Sequence, residues 1–325
     1  MVRRPVAPAT HTSLQAFAVL AVNDDQRLPI VVTIVVTYHR RELLIQTLDA
    51  VAQQTSRTSA MIVVDNAADE SLAAAVTTRY PEVIYVAAAS NLGPGGGFGV
   101  GLRRAESEIV ADWYWLLDDD SPPALDALEQ ALEVAQTQDG PIGAIGLRGG
   151  HVRQGRIRHD LPLGTVSSPE HADFLLVDGS IVSAEAVGRA GYPRADFFIM
   201  MEDLEYSLRI GETGLPLLVR PADGSINLYQ GSGAPWRGYY QSRNHLRMAL
   251  ERHSLSWVWG WLIRELGINL HHVRHGRWSS IRFRLRGARD AVRNRMGRTV
   301  DPSLGKPAPQ AERDTVDRPL ARRPT

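Results

Sequence analysis

Three consecutive carboxylates follow an apolar, aromatic-rich run near the middle of the chain. Residues 113–117 read Trp-Tyr-Trp-Leu-Leu, which is typical of a buried strand, and Asp118, Asp119 and Asp120 come directly after it. A proline pair at residues 122–123 ends the strand. Like charges this close repel one another, so something positive must neutralise the triplet. A divalent cation carrying a nucleotide diphosphate would do so.

The spacing of the triplet predicts which acids act together. Side chains alternate in an extended segment, so Asp118 and Asp120 point one way and Asp119 the other. Two carboxylates on one side can share a hard divalent cation and leave positions for diphosphate oxygens and water. We therefore predict a metal site at Asp118 and Asp120, with Mn²⁺ or Mg²⁺ as the cation. The alternative is helix capping, with Pro122 at the first helical position, which accounts for only one of the three acids.

A second acidic pair, Glu202 and Asp203, follows the apolar run at residues 197–201. An apolar approach raises the pKa of one member and tunes it to take a proton from an acceptor hydroxyl. We predict that this pair supplies a general base. The alternative is that the pair is the acidic first turn of an amphipathic helix, because further charged residues follow at helical spacing.

The elements that must position these acids alternate between strands and helices over the first half of the chain, which predicts a parallel α/β sheet. Ligands of such sheets bind outside the carboxyl ends of the strands, where Thr37, Asp65, Asn66 and the acid triplet are expected. The predicted strands are residues 30–37, 61–64, 83–86, 113–117, 142–147 and 174–177, and the predicted helices are 42–53, 71–80, 125–135, 184–190, 202–211 and 236–252. Residues 148–173 are expected to form an irregular loop over one edge of the sheet.

A glycine-rich stretch at residues 91–101 does not match a known nucleotide motif. No register satisfies G-x-G-x-x-G, and no Gly-Lys-Ser/Thr occurs. We predict that glycines such as Gly97 let the backbone pass close to a sugar or phosphate, before a short helix that ends near Glu108. The alternative is a packing turn before that helix. At Asp65, a carboxylate that accepts a hydrogen bond from the imide of uracil or thymine competes with an Asx-turn.

Composition excludes several classes of function. The formal net charge of the 325 residues is zero, so no bulk electrostatic drive toward nucleic acid exists. The chain has no cysteine, which excludes disulfides, thiolate metal sites and cysteine nucleophiles. No apolar run is long enough to span a membrane. The apolar run at residues 16–22 lacks the small residues of a cleavage site after it, so we do not expect secretion.

The C-terminal third has its own signal. Trp257, Trp259 and Trp261 precede a segment, residues 264–298, that holds ten arginines and two acids. Aromatic residues beside an arginine-rich amphipathic segment suit an anionic membrane surface, which we predict as a partner. The alternatives are a core-packing helix with a solvated basic face and, less favoured, a nucleic-acid tail. We expect a poorly structured extension at 1–28, a catalytic domain at 29–252, this helical region at 253–298 and a disordered tail at 299–325.

The motifs taken in order resemble those of inverting family 2 glycosyltransferases of the GT-A fold, closest to the bacterial rhamnosyl- and galactofuranosyltransferase branch. The resemblance covers about residues 30 to 250. The motifs that carry it are Val-Val-Thr-Tyr-His-Arg (35–40), Ile-Val-Val-Asp-Asn (62–66), Asn-Leu-Gly-Pro-Gly-Gly-Gly-Phe (91–98), Trp-Leu-Leu-Asp-Asp-Asp (115–120), Met-Glu-Asp-Leu-Glu-Tyr-Ser-Leu-Arg (201–209) and Tyr-Tyr-Gln-Ser-Arg-Asn (239–244). It implies a mostly parallel central sheet flanked by helices, followed here by a helical basic extension.

The resemblance also implies roles for particular residues. Asp118 and Asp120 would sit at the metal-diphosphate site, and Asp203 would be the base with Glu202 beside it. Arg243 and Asn244, which match the family's Arg-Asn pair, would contact phosphate or fix their helix. The residues expected to contact the donor are Thr37, Asp65, Asn66, Asn91, Gly97, Asp119 and Arg243.

One departure from the family pattern concerns the metal. Many relatives place a metal-binding histidine shortly before the Arg-Asn helix, but residues 227–232 contain none. His245 follows the pair and is not an obvious substitute. Either Gln230 or water takes the position, or the metal is held more weakly.

The resemblance implies an enzyme of polysaccharide and cell-wall biosynthesis. It would transfer galactofuranose or rhamnose from a UDP- or dTDP-linked donor to a glycan or polyprenyl-linked glycolipid hydroxyl, with inversion. Such an enzyme is expected in the cytoplasm, peripheral on the inner face of the cell membrane. A sugar nucleotidyltransferase and a non-catalytic membrane-associated scaffold on a transferase fold remain as alternatives.

Overall fold

A computed structural model describes residues 27–222 and 234–301 of the chain. The strands are β1 (Val31–Thr37), β2 (Ala60–Asp65), β3 (Ile84–Ala87), β4 (Trp113–Asp118), β5 (Ala144–Gly146), β6 (Gly149–Arg153), β7 (Arg156–Leu161), β8 (Glu170–Ala172), β9 (Phe174–Leu175), β10 (Ser180–Ser183) and β11 (Leu217–Val219). The helices are α1 (Arg41–Ala52), α2 (Glu70–Arg79), α3 (Gly93–Glu108), α4 (Ala127–Thr137), α5 (Ala184–Ala190), α6 (Glu202–Glu212), α7 (Pro235–Glu251), α8 (Leu255–Arg274) and α9 (Trp278–Val292).

Eight strands form one central sheet in the order β3-β2-β1-β4-β10-β5-β11-β8. The first four strands of the chain run parallel, as the alternating pattern predicts. β1 is a β-branched run buried along its whole length, because helices cover both faces of the sheet. Side chains of α1, α2 and α4 pack on one face, and side chains of α3, α5 and α6 pack on the other.

The second half of the sheet was only partly predicted. β10 runs antiparallel between β4 and β5, and β11 lies parallel to β5. Neither β10 nor β11 was expected. Both are short and lack the length from which a pattern can be read. The predicted strand at 174–177 shortens to β9, which belongs to a separate three-stranded sheet of order β7-β6-β9.

The expectation of an irregular loop at residues 148–173 is wrong, because β6 and β7 form a hairpin there. The connection is the pair Gln154-Gly155, and both residues have positive φ, at 51° and 72°. Two such residues form the turn whose twist matches that of paired strands. The glycine of this turn was a signal in the sequence, but the strands on either side are polar and rich in arginine, so we did not predict a hairpin there.

The C-terminal helices pack onto α7 as one body. A Cβ on Gly287 of α9 would lie 2.2 Å from the Tyr239 carbonyl oxygen, so the two helices cross closely only because that residue is glycine. Beyond α9, the Tyr240 hydroxyl donates to the Val300 carbonyl over 2.6 Å. Residues 299–300 are therefore buried, whereas we expected them in a disordered tail.

Several predicted segments fall outside the described residues. These are residues 1–26 of the N-terminal extension, the segment around Gln230 and the tail beyond residue 301. Within the described ranges, no helix combines the length and apolarity that a membrane span requires.

Candidate active site

The carboxyl ends of β1, β2 and β4 bring the first group of polar residues together. Thr37 is the register partner of Asp65, and Val36 is the partner of Asp118. The three strands therefore end side by side at one edge of the sheet, where ligands of parallel sheets bind. The sequence-predicted convergence at this edge is present in the fold.

Asp119 is buried and held by β1 and the loop that follows it. Its carboxylate accepts hydrogen bonds from the Thr37 hydroxyl at 2.7 Å and from the Tyr38 backbone N–H at 3.3 Å. Arg40 donates to Asp119 at 3.1 Å and also forms an ion pair with Asp120. Burial nevertheless raises the pKa of Asp119, with the Thr37 hydrogen bond and Arg40 opposing it. Two of the predicted donor-binding side chains, Thr37 and Asp119, thus bind each other.

Asp118 lies where negative charge is concentrated. Its pKa is raised well above the ordinary value, first by burial and then by the neighbouring carboxylates of Asp178, Asp120, Asp119 and Glu202, in that order. A cation at Asp118 would reverse this effect, because it favours the ionised form of every acid around it.

Asp178 belongs to this site and was not among the predicted residues. It precedes β10, and its carboxylate accepts from the Asp118 backbone N–H at 3.0 Å and from the Ser121 hydroxyl at 2.6 Å. Burial raises the pKa of Asp178. The available signal was an acid directly after the apolar run 174–177, the same pattern that marks Asp118 after the apolar run 113–117.

Glu202 and Asp203 form the first turn of α6 and lie near the triplet, since Glu202 contributes to the raised pKa of Asp118. Burial, followed by the charge of Asp203, raises the pKa of Glu202 to about 8. Burial also raises the pKa of Asp203, although the Leu204 backbone N–H donates to its Oδ1 at 2.9 Å and opposes the shift. The Oε2 atom of Glu202 is buried and has no hydrogen-bond partner among the described residues. The fold thus brings the predicted base and the predicted metal site to one place.

The glycine-rich stretch is helical from Gly93 onward, so the predicted loop before a short helix is corrected to the start of α3. A Cβ on Gly97 would lie 2.6 Å from Val36 Cγ1, which places α3 directly on β1. Asn66 donates to the Gly93 carbonyl at 3.1 Å, and Asn91 accepts from the Gly93 N–H at 2.9 Å. The packing alternative accounts for these contacts.

Asp65 is also occupied by internal contacts. Its carboxylate accepts from the Ala67 and Asp69 backbone N–H groups, at 2.8 and 2.7 Å, and from the Tyr85 hydroxyl at 2.7 Å. The bond to residue 67 is that of the Asx-turn alternative. A uracil or thymine imide would have to share this carboxylate with three donors.

Arg243 does not join the other predicted donor contacts. Its guanidinium is fully buried and donates to the carbonyls of Gly297 at 2.7 Å and Phe197 at 2.9 Å. This corrects the expectation of a phosphate contact in favour of the alternative in which Arg243 fixes its helix. His245, two residues on, is also buried, and burial lowers its pKa to about 3.

The side chains at the acid triplet show whether a metal ion could bind there. Asp118 offers carboxylate oxygens in an excess of negative charge, and Asp120 lies next to it with Arg40 as its ion-pair partner. Across residues 27–222 and 234–301, no group of three or more His, Asp or Glu side chains is arranged to hold a metal ion. These residues therefore fit a cation whose remaining ligands come from diphosphate oxygens and water, the arrangement that hard cations bound to phosphates adopt.

The fold and this edge of acids define the class of protein. Solved structures with the same fold include a mannosyltransferase from Pyrobaculum calidifontis in complex with GDP-Man and Mn²⁺, with a TM-score of 0.54 and 16% identity over 83% of this chain and 89% of that one. GalNAc-T7 with UDP, GalNAc and Mn²⁺ matches with a TM-score of 0.51 and 14% identity over 69% and 48% of the two chains. The fold is therefore GT-A, the fold of nucleotide-diphospho-sugar transferases.

The sequence then places the chain within that class. The profile of glycosyl transferase family 2 matches residues 32–197. Galactofuranosyltransferase GlfT1 of Mycolicibacterium smegmatis is 34% identical over an alignment of 206 residues that covers 58% of this chain and 67% of the relative. GlfT1 of Mycobacterium tuberculosis is 30% identical over 57% of this chain and 66% of the relative. The chain belongs to glycosyl transferase family 2, and the predicted fold and enzyme class are confirmed.

Proposed function

We propose that this chain transfers galactofuranose or rhamnose from a nucleotide diphosphate to a hydroxyl of a glycan or lipid-linked glycan, with inversion. Galactofuranose is favoured because the similar curated proteins are named galactofuranosyltransferases. One observation carries the proposal: Glu202 packs against α3 at Gly95, and α3 packs at Gly97 against Val36, the register partner of Asp118, so the acid pair and the acid triplet lie at the same end of the sheet. A base and a diphosphate site this close can serve one displacement at one carbon.

Within the pair, the base is Asp203. Glu202, with a pKa of about 8, holds its proton at neutral pH. Burial raises the pKa of Asp203 as well, which makes its carboxylate a stronger base, while the Leu204 N–H opposes that shift and favours the ionised form that accepts a proton. As the acceptor hydroxyl loses its proton to Asp203, its oxygen bonds to the anomeric carbon. The bond from that carbon to the diphosphate oxygen breaks, and the configuration inverts.

Asp118 and Asp120 would hold the divalent cation, which neutralises charge on the departing diphosphate when it is bound. Asp178 would keep Asp118 in place through the backbone hydrogen bond. Most of the predicted donor-binding side chains are occupied by internal contacts. They would therefore contribute by shaping the wall of the nucleotide site. These residues are Thr37, Asp65, Asn66, Asn91 and Gly97.

The acceptor side of the proposal includes an anionic membrane surface. Large apolar side chains on α8 are between 45% and 87% exposed and recur at helical spacing on one face. A second exposed row lies on α9. Together these rows form what we call the apolar-basic surface: Leu255, Trp259, Leu266, Leu270 and Val273 on α8, and Trp278, Leu285 and Val292 on α9.

The other faces of these helices pack on the protein. The Trp261 indole N–H donates to the Ser242 carbonyl at 3.2 Å, and the guanidinium of Arg284 forms a buried ion pair with Glu265. The exposed arginines Arg282, Arg289 and Arg293 lie beside the apolar row of α9. Apolar rows flanked by arginine suit the boundary between acyl chains and anionic headgroups, and a lipid-linked acceptor would be presented there. We place the enzyme peripherally on the inner face of the cell membrane.

A transfer assay with defined donors tests the function. UDP-galactofuranose, dTDP-rhamnose and GDP-mannose are incubated with a polyprenyl-linked glycan, with Mn²⁺ and with chelator. We expect one donor to be used and the same donor to raise the melting temperature only when the cation is present. Family membership already disfavours the nucleotidyltransferase and scaffold alternatives. A protein that binds no donor and transfers no sugar in any condition would contradict the proposal.

A further inference from the structure

The loop that leads into α6 has an unusual backbone. Phe198, Met200 and Met201 all have positive φ, at 63°, 69° and 72°, although none is glycine. Phe198 has ψ of −68°, and the Ile199 N–H donates to the Phe197 carbonyl at 2.8 Å. This is a γ-turn of the rare, strained hand. Such conformations persist only where the surroundings hold them, and they cluster at functional sites.

One buried side chain amide holds most of this loop. The Nδ2 atom of Asn244 donates to the carbonyl oxygens of Phe197 at 2.9 Å, Ile199 at 3.1 Å and Met200 at 2.7 Å. Three carbonyls of a short segment converge on Nδ2 because the loop is in its strained form. An extended backbone would point successive carbonyls to opposite sides, and a helical backbone would point them along the helix axis from positions spread around it, so in neither form could one amide bind all three.

Arg243 orients that amide and ties it to the body of the protein. Its Nε donates to the Asn244 Oδ1 at 2.8 Å, which leaves the NH₂ group of Asn244 facing the loop. Its Nη1 donates to the Gly297 carbonyl at 2.7 Å and to the Thr299 hydroxyl at 3.1 Å. The loop is thus linked through α7 to the segment after α9.

The far side of the loop lies on the start of α3. A Cβ on Gly93 would lie 1.8 Å from the Phe198 carbonyl oxygen, so only glycine permits the contact. A Cβ on Gly95 would lie 3.1 Å from the Glu202 Cβ. Met201 is the last residue before α6, and its carbonyl accepts from the Glu205 N–H at 3.0 Å. The shape of the loop therefore sets where the first turn of α6 begins relative to the edge of the sheet.

We infer that Asn244, oriented by Arg243, is a positioning residue that holds loop 198–201 in its strained form and so sets Glu202 and Asp203 against the acid triplet. This inference rests on the proposed role of Asp203 as the base. It adds two residues of α7, whose contacts are with backbone and buried groups, to those that position the base. It also explains why the strained backbone is retained, because relaxation of the loop would move the acid pair.

The test compares Asn244→Ala with Ser242→Ala in the full-length protein. Ser242 is a matched control, since it is buried on the same helix and its hydroxyl has no hydrogen-bond partner among the described residues. Three quantities are measured: kcat at saturating donor and acceptor, donor Kd, and hydrogen exchange of amides 198–206. For Asn244→Ala we expect kcat to fall about 100-fold, the size of loss that a misplacement near 1 Å produces. Donor Kd should change less than about threefold while the loop amides exchange faster, and Ser242→Ala should match the wild type.

Two further variants keep the inference open to refutation. Asn244→Ser retains one donor and serves if the alanine variant does not fold; we expect its kcat and loop exchange to fall between those of alanine and wild type. Asp203→Asn is measured in parallel. Wild-type turnover in Asp203→Asn with faster loop exchange in Asn244→Ala would refute the base assignment alone. Unchanged loop exchange and unchanged kcat in the Asn244 variants would overturn the positioning role, whatever Asp203→Asn shows.

Discussion

The backbone N–H of Asp118 donates to the carboxylate of Asp178 over 3.0 Å, so the last residue of β4 is fixed by an acid that precedes the next strand of the sheet. The same carboxylate accepts a hydrogen bond from the Ser121 hydroxyl at 2.6 Å. Asp178 thus spans the acid triplet from its first residue to the residue that follows it. The triplet is held by a side chain that is itself negative, which adds to the charge that a bound cation would neutralise.

Asp178→Ala should therefore destabilise the fold more than Asp178→Asn. Alanine leaves the Asp118 N–H and the Ser121 hydroxyl without their partner, at about 1–3 kcal/mol for each buried group. Asparagine keeps one carbonyl acceptor at nearly the same size, so its cost should be less than half that of alanine. Urea unfolding of the metal-free protein measures the difference. Equal stability of wild type and Asp178→Ala would show that the two hydrogen bonds do not hold the triplet.

Gly97→Ala should lower stability by about 1–3 kcal/mol, because overpacking of a tight contact costs this much. The added methyl would lie 2.6 Å from Val36 Cγ1 on β1. Gly211→Ala in α6 is the matched control, since its methyl would meet no atom within 4 Å. Alanine there should stabilise the helix by about 0.5–1 kcal/mol. Opposite signs in thermal unfolding support a packing role for Gly97, whereas two stabilising substitutions would contradict it.

The stability of the metal-free protein should decrease as pH rises from about 4.5 to about 8. Glu202 has an ordinary pKa of 4.5 when unfolded and a pKa of about 8 when folded. Between these values the folded protein holds a proton that the unfolded chain has released, so each rise in pH favours unfolding. Glu202→Gln removes this contribution and should flatten the fall in melting temperature. Glu212→Gln, at the exposed end of the same helix, should keep the wild-type slope. A Glu202→Gln slope equal to that of the wild type would show that Glu202 does not carry the proton.

Hydrophobic pattern predicted the parallel half of the fold because its strands are long and buried on both faces. β2 and β4 are apolar up to their last residues, and the acids at their ends, Asp65 and Asp118, are local in sequence. The prediction that polar residues meet at one edge followed from the parallel order alone.

Asp178 and Asn244 could not be assigned in the same way. Asp178 reaches the triplet only because β10 pairs antiparallel with β4, and a four-residue strand carries no pattern that fixes its partner. The direction of Asn244 depends on how α7 packs against the loop and on the bond from Arg243. Both are contacts between distant parts of the chain, and residue propensity and hydrophobic periodicity describe only local structure.

Trp259→Glu combined with Leu266→Glu should reduce binding to vesicles of anionic phospholipid at least about tenfold, because two apolar side chains lose their burial in the interface. Both residues are on the apolar-basic surface, exposed by 58% and 62%. Leu125→Glu, which is 59% exposed before α4, is the matched control and should leave binding unchanged. Vesicle sedimentation measures the partition. Equal binding of all three proteins would contradict the membrane contact.

Arg282→Gln combined with Arg293→Gln tests the basic part of the same surface. Affinity for vesicles with phosphatidylglycerol should fall by about 30-fold, since each of the two arginines near an anionic surface contributes about 1 kcal/mol. Affinity for neutral phosphatidylcholine vesicles should not change. If wild type bound both vesicles equally and the double variant matched it, the arginines would have no lipid partner.

The rate of sugar transfer by Asp203→Asn tests the central claim most directly. Asparagine keeps the oxygen that accepts the Leu204 N–H, so the first turn of α6 is preserved while the proton acceptor is lost. The rate should fall about 10²–10⁴-fold, the usual contribution of a general base, while donor Kd changes less than about threefold. Glu212→Gln should transfer at the wild-type rate. Wild-type turnover by Asp203→Asn would contradict the assignment of the base and the displacement derived from it.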